Sequence, residues 1–402
     1  MSGGNNLSNP SNPSNLIEMP WVKLQLSTFN FQHLMKILLL GEYSNVHNTL
    51  AKGLRALGHH VTVASNGDYW KNYPRDIDLA RRCGRVGGMA LYAKILKYLP
   101  RMRGYDVVQL INPLFIDLSA KRLFHIYNYI RKHNRKMVMG GFGMDYYWVS
   151  TCLNDKPLRY SDFNIGEHER NNKDAIKEIK DWIGTDKEKL NRMIATDCDA
   201  IVTGLYEYWV CYKPAFPDKT SFIPFPIVTS EKEINCDMQD ATVKVFIGIS
   251  KNRSEYKGTD IMLRAAKHIK EKHPERMELY VVEGVPFNEY VMLMNSSDII
   301  MDQLYSYTPA MNALQAMSQG LICMGGGEEE NYEILNEKEL RPIINVQPTY
   351  ESVCKQLEYI VLHPELIPSL KKDGIEYIKK HHDHIKVAKK YEALYNKLLD
   401  KS

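Results

Sequence analysis

Between residues 243 and 320 the chain alternates short apolar runs with helical ones, and few architectures accommodate that pattern. The run VFIGIS (245–250) leads through the basic loop KNRSEYKG into TDIMLRAAKHIKEKH, whose apolar spacing is helical. ELYVVEG (278–284) is a second apolar run, and SSDIIMDQLYS (296–306) a third, whose loop TPAMN opens the helix ALQAMSQG. Strand, loop and helix in repetition predict a parallel sheet covered by helices. In such sheets ligands bind outside the carboxyl ends of the strands. A cationic loop and a helix N-terminus at those ends favour an anionic ligand.

The N-terminal half opens the same way. In MKILLLGEYSNVHNTLAKGLRALGHHVTVAS (35–65) an apolar strand at Ile37–Leu40 meets a turn at Gly41. A helix with Val46, Leu50, Leu54 and Leu57 on one side follows, then Gly58 as a stop and a strand at Val61–Ala64. Further strands are expected at Val107–Ile111, Met137–Gly140 and Ala200–Thr203. A chain of 402 residues is longer than one core usually serves. The expected division is therefore an N-terminal domain over 35–228, a linker over 229–242, a second domain over 243–370 and a helical tail over 371–402. Residues 1–34, Ser/Asn/Gly/Pro-rich over the first fifteen, are expected to be a disordered or non-native extension, and Met35 could itself be the initiator. The polar segment 154–195 is longer than a loop requires and is expected to cover the cleft or an acceptor.

The formal net charge of +4 is too small to argue for nucleic acid, but its distribution is uneven. From Arg81 to Arg103 there are seven basic residues and no acid. That stretch is either a solvated helix face or a surface for an anionic partner such as a lipid headgroup. The seven cysteines are scattered without a Cys-x-x-Cys pair, which fits a reducing compartment and argues against a disulfide framework or a zinc site. No apolar run is long enough to cross a bilayer, and no signal peptide is legible. The expected location is cytoplasmic, with peripheral contact at the inner face of the cell membrane.

Several motifs in order resemble those of GT-B glycosyltransferases, closest to the retaining family-four type of bacterial surface-glycan synthesis. They are the Gly41 loop, Gly58-His59-His60-Val61-Thr62-Val63, YKGTDIMLRAAKHI, and ALQAMSQGLIC. The resemblance covers most of the chain from Met35 onward. It implies an α/β fold of two Rossmann-like domains facing a cleft, with a C-terminal helix crossing back. It also implies a nucleotide-diphospho-sugar donor on the C-terminal domain and a glycan or lipid-linked acceptor on the N-terminal one. No cofactor or metal is implied, because cations and a helix N-terminus neutralise the leaving diphosphate. Lys257 is the first candidate for the diphosphate, then Arg253, with Lys251 able to substitute. The backbone of Ala310, Met311 and Asn312 would meet the distal phosphate, and Gly41 would admit a close backbone approach to the donor.

The family brackets its last donor loop with two glutamates, and the matching positions here are Tyr307 and Gln315. Gln315 can still bond ribose hydroxyls. Tyr307 carries no negative charge, so Glu329, within the Glu328–Glu330 triplet, is a candidate substitute carboxylate, or simply part of a solvated loop. Asn112 stands where the family often carries His, and is an acceptor-side candidate. Asp145, in GGFGMDYYW, orients an acceptor or acts as a weak base, or else is only a turn or helix cap. Tyr146 stacks on a sugar or packs beneath the 154–195 segment. Asp76-Ile77-Asp78 and Asp197-Cys198-Asp199 mimic a metal motif, and His381, His382 and His384 a zinc cluster. The first two read as a loop and a strand entrance, and the histidines as a solvated face. A sugar transferase in capsule, lipopolysaccharide or other surface-polysaccharide synthesis is the leading expectation. A non-catalytic relative that binds a nucleotide sugar or a partner, and a sugar-nucleotide epimerase on the same fold, are its rivals.

Overall fold

The computed structural model describes Met1 and residues 34–230, 234–238, 242–249 and 254–401. The expected extension and much of the expected linker therefore lie outside the described residues. Leu34 onward forms one compact body. Its strands are β1 (Lys36–Leu40), β2 (His60–Ser65), β3 (Ile77–Asp78), β4 (Val107–Leu110), β5 (Lys136–Gly141), β6 (Asn164–Ile165), β7 (His168–Glu169), β8 (Ala200–Thr203), β9 (Thr220–Phe222), β10 (Val243–Ile249), β11 (Met277–Glu283), β12 (Ile299–Met301), β13 (Ile322–Gly325) and β14 (Ile344–Asn345). The α-helices are α1 (Val46–Ala56), α2 (Gly84–Tyr98), α3 (Ala120–His133), α4 (Tyr146–Asn154), α5 (Lys173–Trp182), α6 (Asp186–Asp197), α7 (Tyr206–Tyr212), α8 (Ser254–Lys257), α9 (Thr259–Lys272), α10 (Phe287–Asn295), α11 (Met311–Ser318), α12 (Glu329–Leu335), α13 (Tyr350–Leu362), α14 (Ile367–His381) and α15 (His384–Asp400).

Two parallel sheets organise the body. The first runs β3-β2-β1-β4-β5-β8-β9 and the second β11-β10-β12-β13-β14. In the first, Ile37 pairs with Val61 on one side and Val107 on the other. In the second, Val245 pairs with Leu279 and Ile299. Central strands such as KILLL are apolar at nearly every position because helices cover both faces. Each sheet reverses its strand order beside its first strand, between β1 and β4 and between β10 and β12, which opens a crevice at their carboxyl ends.

The tail closes the two halves together. Helix α14 lies on the second domain, where Gly374 approaches Met317 and the Leu321 carbonyl. The chain then turns at His382–Asp383, where Ile227 N–H donates to the His382 carbonyl (2.7 Å) and His384 N–H to that of Ile227 (2.9 Å). Helix α15 crosses back onto α1, with Gly53 of α1 close against His384 and Ala388. Val387, Tyr391 and Tyr395 are fully buried there, and Val387 alone contributes roughly 1.5–3 kcal/mol by burial. Tyr395 Oη donates to Gln109 Oε1 (2.7 Å), and His59 Nε2 meets Glu392 Oε1 (3.0 Å).

This crossing corrects the expectation of a solvated histidine face. His381 and His382 are buried. His381 Nε2 lies 2.5 Å from Glu337 Oε2, and His382 Nδ1 2.9 Å from the Phe225 carbonyl. Periodicity marks the helix correctly but cannot show that its end is wedged between domains. Of the Asp-x-Asp pairs, Asp197 accepts from Tyr127 (2.6 Å) and Asp199 from Arg131 (2.8 Å), while Asp76 accepts from Arg55 (2.6 Å).

Candidate active site

A cleft of about 1300 Å³ lies between the carboxyl ends of the two sheets. On the second-domain side it is bordered by Lys257, Asp302, Gln303, Ala310, Met311, Asn312 and Gln315. Lys257 ends the single turn of α8, and Gly258 then takes φ 74° before α9 begins. A Cβ at Gly258 would stand 2.5 Å from Leu304 Cβ, so only glycine permits the bend. Leu304 N–H donates to the Lys257 carbonyl (2.9 Å), which ties this turn to the exit of β12. Lys251 and Arg253 lie outside the described residues.

Helix α11 starts at the cleft with Ala310 as an extended N-cap whose side chain supplies no capping bond. Its first N–H groups meet the cleft, where the helix end attracts negative charge. Asn312 Nδ2 reaches the Tyr290 hydroxyl (3.1 Å) and Asp302 Oδ1 (3.5 Å). Gln315 borders the cleft one turn further on, its Nε2 donating to Ser318 Oγ (3.1 Å). The structure thus brings Lys257, Ala310, Met311, Asn312 and Gln315 to one wall.

Sequence reasoning missed three groups. Asp302 is a carboxylate on the same wall; burial raises its pKa, and the nearby Lys257 charge pulls it back down. Its signal was a charged residue directly after the apolar run IIM, at the end where ligands bind. Val282, Gly284, Val285, Pro286, Tyr290 and Met294 form a largely apolar slot beside it. Gly248, next to last in β10, lies under Tyr290, whose hydroxyl a Cβ there would approach to 2.8 Å. From the first domain, Ser44, Asn45, Trp70, Lys71 and Tyr73 face the cleft, with Lys71 Nζ held by Asp68 (2.6 Å).

Gly41 borders a separate hollow of about 140 Å³ with Glu42, Tyr43, Ser65, Asn66, Tyr69 and Asp117. A Cβ at Gly41 would overlap Ile111 and stand 2.8 Å from the Phe115 carbonyl oxygen, so its glycine serves packing at φ +90°. Glu42 is buried and accepts from the N–H groups of His47 (3.2 Å) and Asn48 (2.8 Å) at the start of α1. Burial nevertheless pushes its carboxyl up to about 8. The neighbouring His47 imidazole is held down to about 3 by burial.

The remaining candidates stand away from the cleft. Asp145 is fully buried as the N-cap of α4. Its Oδ1 accepts from Trp148 N–H (2.9 Å) and its Oδ2 from the Tyr212 hydroxyl (2.6 Å). Of the roles open to it, the geometry is that of a helix cap. Asn112 is buried, accepting from Leu114 N–H (2.9 Å) and donating to the Met144 carbonyl (3.3 Å). Tyr146 meets Arg192 Nη1 (3.2 Å). Glu329 is paired with Arg341 (2.6 Å).

Tyr307 turns its ring into the space between the domains, 4.8 Å from the Tyr160 ring. Its hydroxyl accepts from Arg159 N–H (2.6 Å). Its backbone N–H and that of Thr308 both donate to Glu207 Oε1 (2.6 and 3.0 Å), a buried carboxylate from α7 of the other domain. The 154–195 segment joins this contact. Arg159 pairs with Glu328 (2.8 Å) and Glu330 (2.5 Å). Tyr160 donates to Glu328 (2.6 Å). Arg170 donates to the Glu255 carbonyl (2.7 Å), with its guanidinium 3.4 Å from the Tyr305 ring centre. Asp162 accepts from the hydroxyl of Tyr256, next to Lys257 (2.5 Å). The segment expected to cover the cleft or an acceptor is thus held against Glu255, Tyr256, Tyr305, Tyr307 and Glu328 of the second domain.

No known protein-family profile matches the chain, and no curated protein matches it in sequence. Solved structures do match. Sucrose-phosphate synthase from Thermosynechococcus elongatus aligns at TM-score 0.59 and 12% identity, over 91% of this chain and all of that one. WaaG, a glycosyltransferase involved in lipopolysaccharide biosynthesis, aligns at 0.56 and 12%, over 89% and 99%. The UDP-GlcNAc 2-epimerase of Neisseria meningitidis, solved with UDP-GlcNAc bound, aligns at 0.51 and 11%, over 90% and 100%. Transferases and an epimerase thus share this architecture, and at such identities the likeness concerns fold. The chain has the GT-B fold, with two parallel-sheet domains facing one cleft and a final helix returning to the first.

Proposed function

We propose that the chain is a glycosyltransferase, taking a hexose-type residue from a nucleotide-diphospho-sugar to a glycan or lipid-linked acceptor in surface-polysaccharide synthesis. The observation that carries this reading is the convergence of Lys257 and the N-terminus of α11 on one wall. Together they offer an ammonium and several N–H groups to a diphosphate without a metal ion. Asn312 and the backbone of Ala310 and Met311 would take the distal phosphate and Gln315 the ribose, with the slot around Val285 and Tyr290 left for the base. Retention of configuration belongs to the same proposal, as does work at the inner face of the cell membrane. An epimerase would gather acid–base carboxylates and histidines around the sugar. Among the described residues no histidine borders the cleft, and Asp302 is its single carboxylate.

A second reading is favoured by one observation. Tyr307 is committed to the domain contact and Glu329 to Arg341, so neither presents a charge to a reacting sugar. A nucleotide-sugar-binding relative without transfer would fit these facts. Thermal shift with UDP-, GDP-, dTDP-, ADP- and CMP-sugars separates the possibilities, since a ligand of the folded state raises the melting temperature. One selective shift is expected, with Lys257→Ala weakening that ligand at least about tenfold, ~1.4 kcal/mol. No shift in folded protein would overturn the donor site. A shift without sugar release onto any acceptor or water would support the second reading.

A further inference from the structure

We propose that the outer face of α2 docks the protein on an anionic lipid bilayer. Helix α2 buries Gly87, Gly88, Leu91 and Ile95 against its own domain. Its other side is also apolar: Val86 is 74%, Met89 54% and Leu96 48% exposed. These positions, with Ala90 and Ala93 between them, recur every three or four residues and so form one strip. A helix apolar on both sides normally has neighbours on both sides, and here one side meets solvent.

The charges around the strip identify the occupant. Arg81 and Lys94 pair with Asp117 and Asp78. Arg82, Arg85, Lys97 and Arg101 have no carboxylate at ion-pair distance among the described residues. Cations of one sign around an exposed apolar strip suit a headgroup layer over acyl chains. Tyr69, near enough to Arg81 to feel its charge, and its neighbour Trp70 are exposed by 64% and 63%, and such amphipathic rings settle at membrane interfaces. Tyr69 also borders the 140 Å³ hollow with Asp117, the partner of Arg81. Trp70 also borders the cleft, so docking would bring the first-domain side of the cleft to the bilayer surface, where a lipid-borne acceptor is presented. The docking itself does not depend on sugar transfer.

Co-sedimentation of the full chain with phosphatidylcholine vesicles, with and without phosphatidylglycerol, tests this. Binding is expected to need phosphatidylglycerol and to weaken with salt. Met89→Glu with Leu96→Glu, and Arg82→Glu with Arg85→Glu, should each weaken it at least about tenfold. The melting temperature and any nucleotide-sugar shift should stay unchanged in both pairs, which separates this test from that of the donor site. No binding by folded protein, or binding that both pairs retain, would overturn the proposal. So would a self-association that the Met89/Leu96 pair abolishes without vesicle binding, because the strip would then belong to a second copy of the chain.

Discussion

Glu207 offers the sharpest test of how the domains are held. Its Oε1 accepts from Tyr307 N–H (2.6 Å), Thr308 N–H (3.0 Å) and Ser306 Oγ (2.8 Å), and its Oε2 from Thr308 Oγ1 (2.5 Å). In Glu207→Ala the single Ser306 hydroxyl proton, shared between Glu207 and the Thr308 carbonyl (2.6 Å), can turn wholly to the carbonyl, and the Thr308 hydroxyl can rotate. The two backbone N–H groups have no such alternative. A buried donor left unpaired costs about 1–3 kcal/mol, so Glu207→Ala should lose about 2–6 kcal/mol. Water entering the vacated space would favour the low end. Glu207→Gln keeps the oxygen that accepts both N–H groups. Its amide nitrogen takes the place of Oε2 and can donate to the Thr308 hydroxyl, so this variant should cost under about 1 kcal/mol. Urea unfolding of the three proteins gives the values. A Glu207→Ala loss below about 1 kcal/mol would mean that the turn does not rest on Glu207 in solution, and the closed domain contact would fall with it.

Glu42 gives a pH dependence of definite sign. Its folded pKa of about 8 stands above the ordinary 4.5, so between those values the folded state keeps a proton that the unfolded chain releases. Stability should therefore fall as pH rises through that window and level off above it. The melting temperature of Glu42→Gln, which cannot titrate, should rise relative to the parent's across the window, and parallel curves would refute the buried acid. On the donor-site reading, Asp302→Asn should tighten nucleotide-sugar binding several-fold and abolish proton uptake on binding. Calorimetry in buffers of different ionisation enthalpy measures both, and an Asn variant that binds more weakly would show Asp302 to be a ligand contact instead.

The fold was legible because its signal is repetitive. Each apolar run of four to seven residues, followed by a loop and a 3.6-period helix, marks one unit of a parallel sheet. Lys257, Ala310–Asn312 and Gln315 were singled out through the family resemblance, and the loops that carry them do border the cleft. What stayed hidden depends on contacts distant in sequence. Nothing local in GLYEYWV shows that Glu207 reaches Tyr307, a hundred residues on. Nor does anything in GGFGMDYYW choose between a catalytic Asp145 and one that caps α4 against Tyr212. The segment 154–195 announced itself as an insertion, but its grip on Tyr256 and Tyr305 needed the second domain in place.

The question of transfer turns on where negative charge remains once these contacts are made. Position 307 is uncharged, and Glu207, the carboxylate nearest that turn, has its oxygens filled by four donors. Glu328 is engaged by Arg159 and Tyr160, and Glu329 by Arg341. Asp302 is left, steadied by Lys257. A bound diphosphate would claim that same ammonium and add its own negative charge, and both effects favour the protonated form of Asp302. A bound donor would thus make Asp302 less able to stand as a carboxylate against an oxocarbenium ion. Stabilisation of such an ion would fall to the diphosphate itself, held by Lys257 and α11 and leaving on the same face of the sugar. On the proposed reading, transfer by this site would therefore require the leaving group to provide the charge that position 307 lacks.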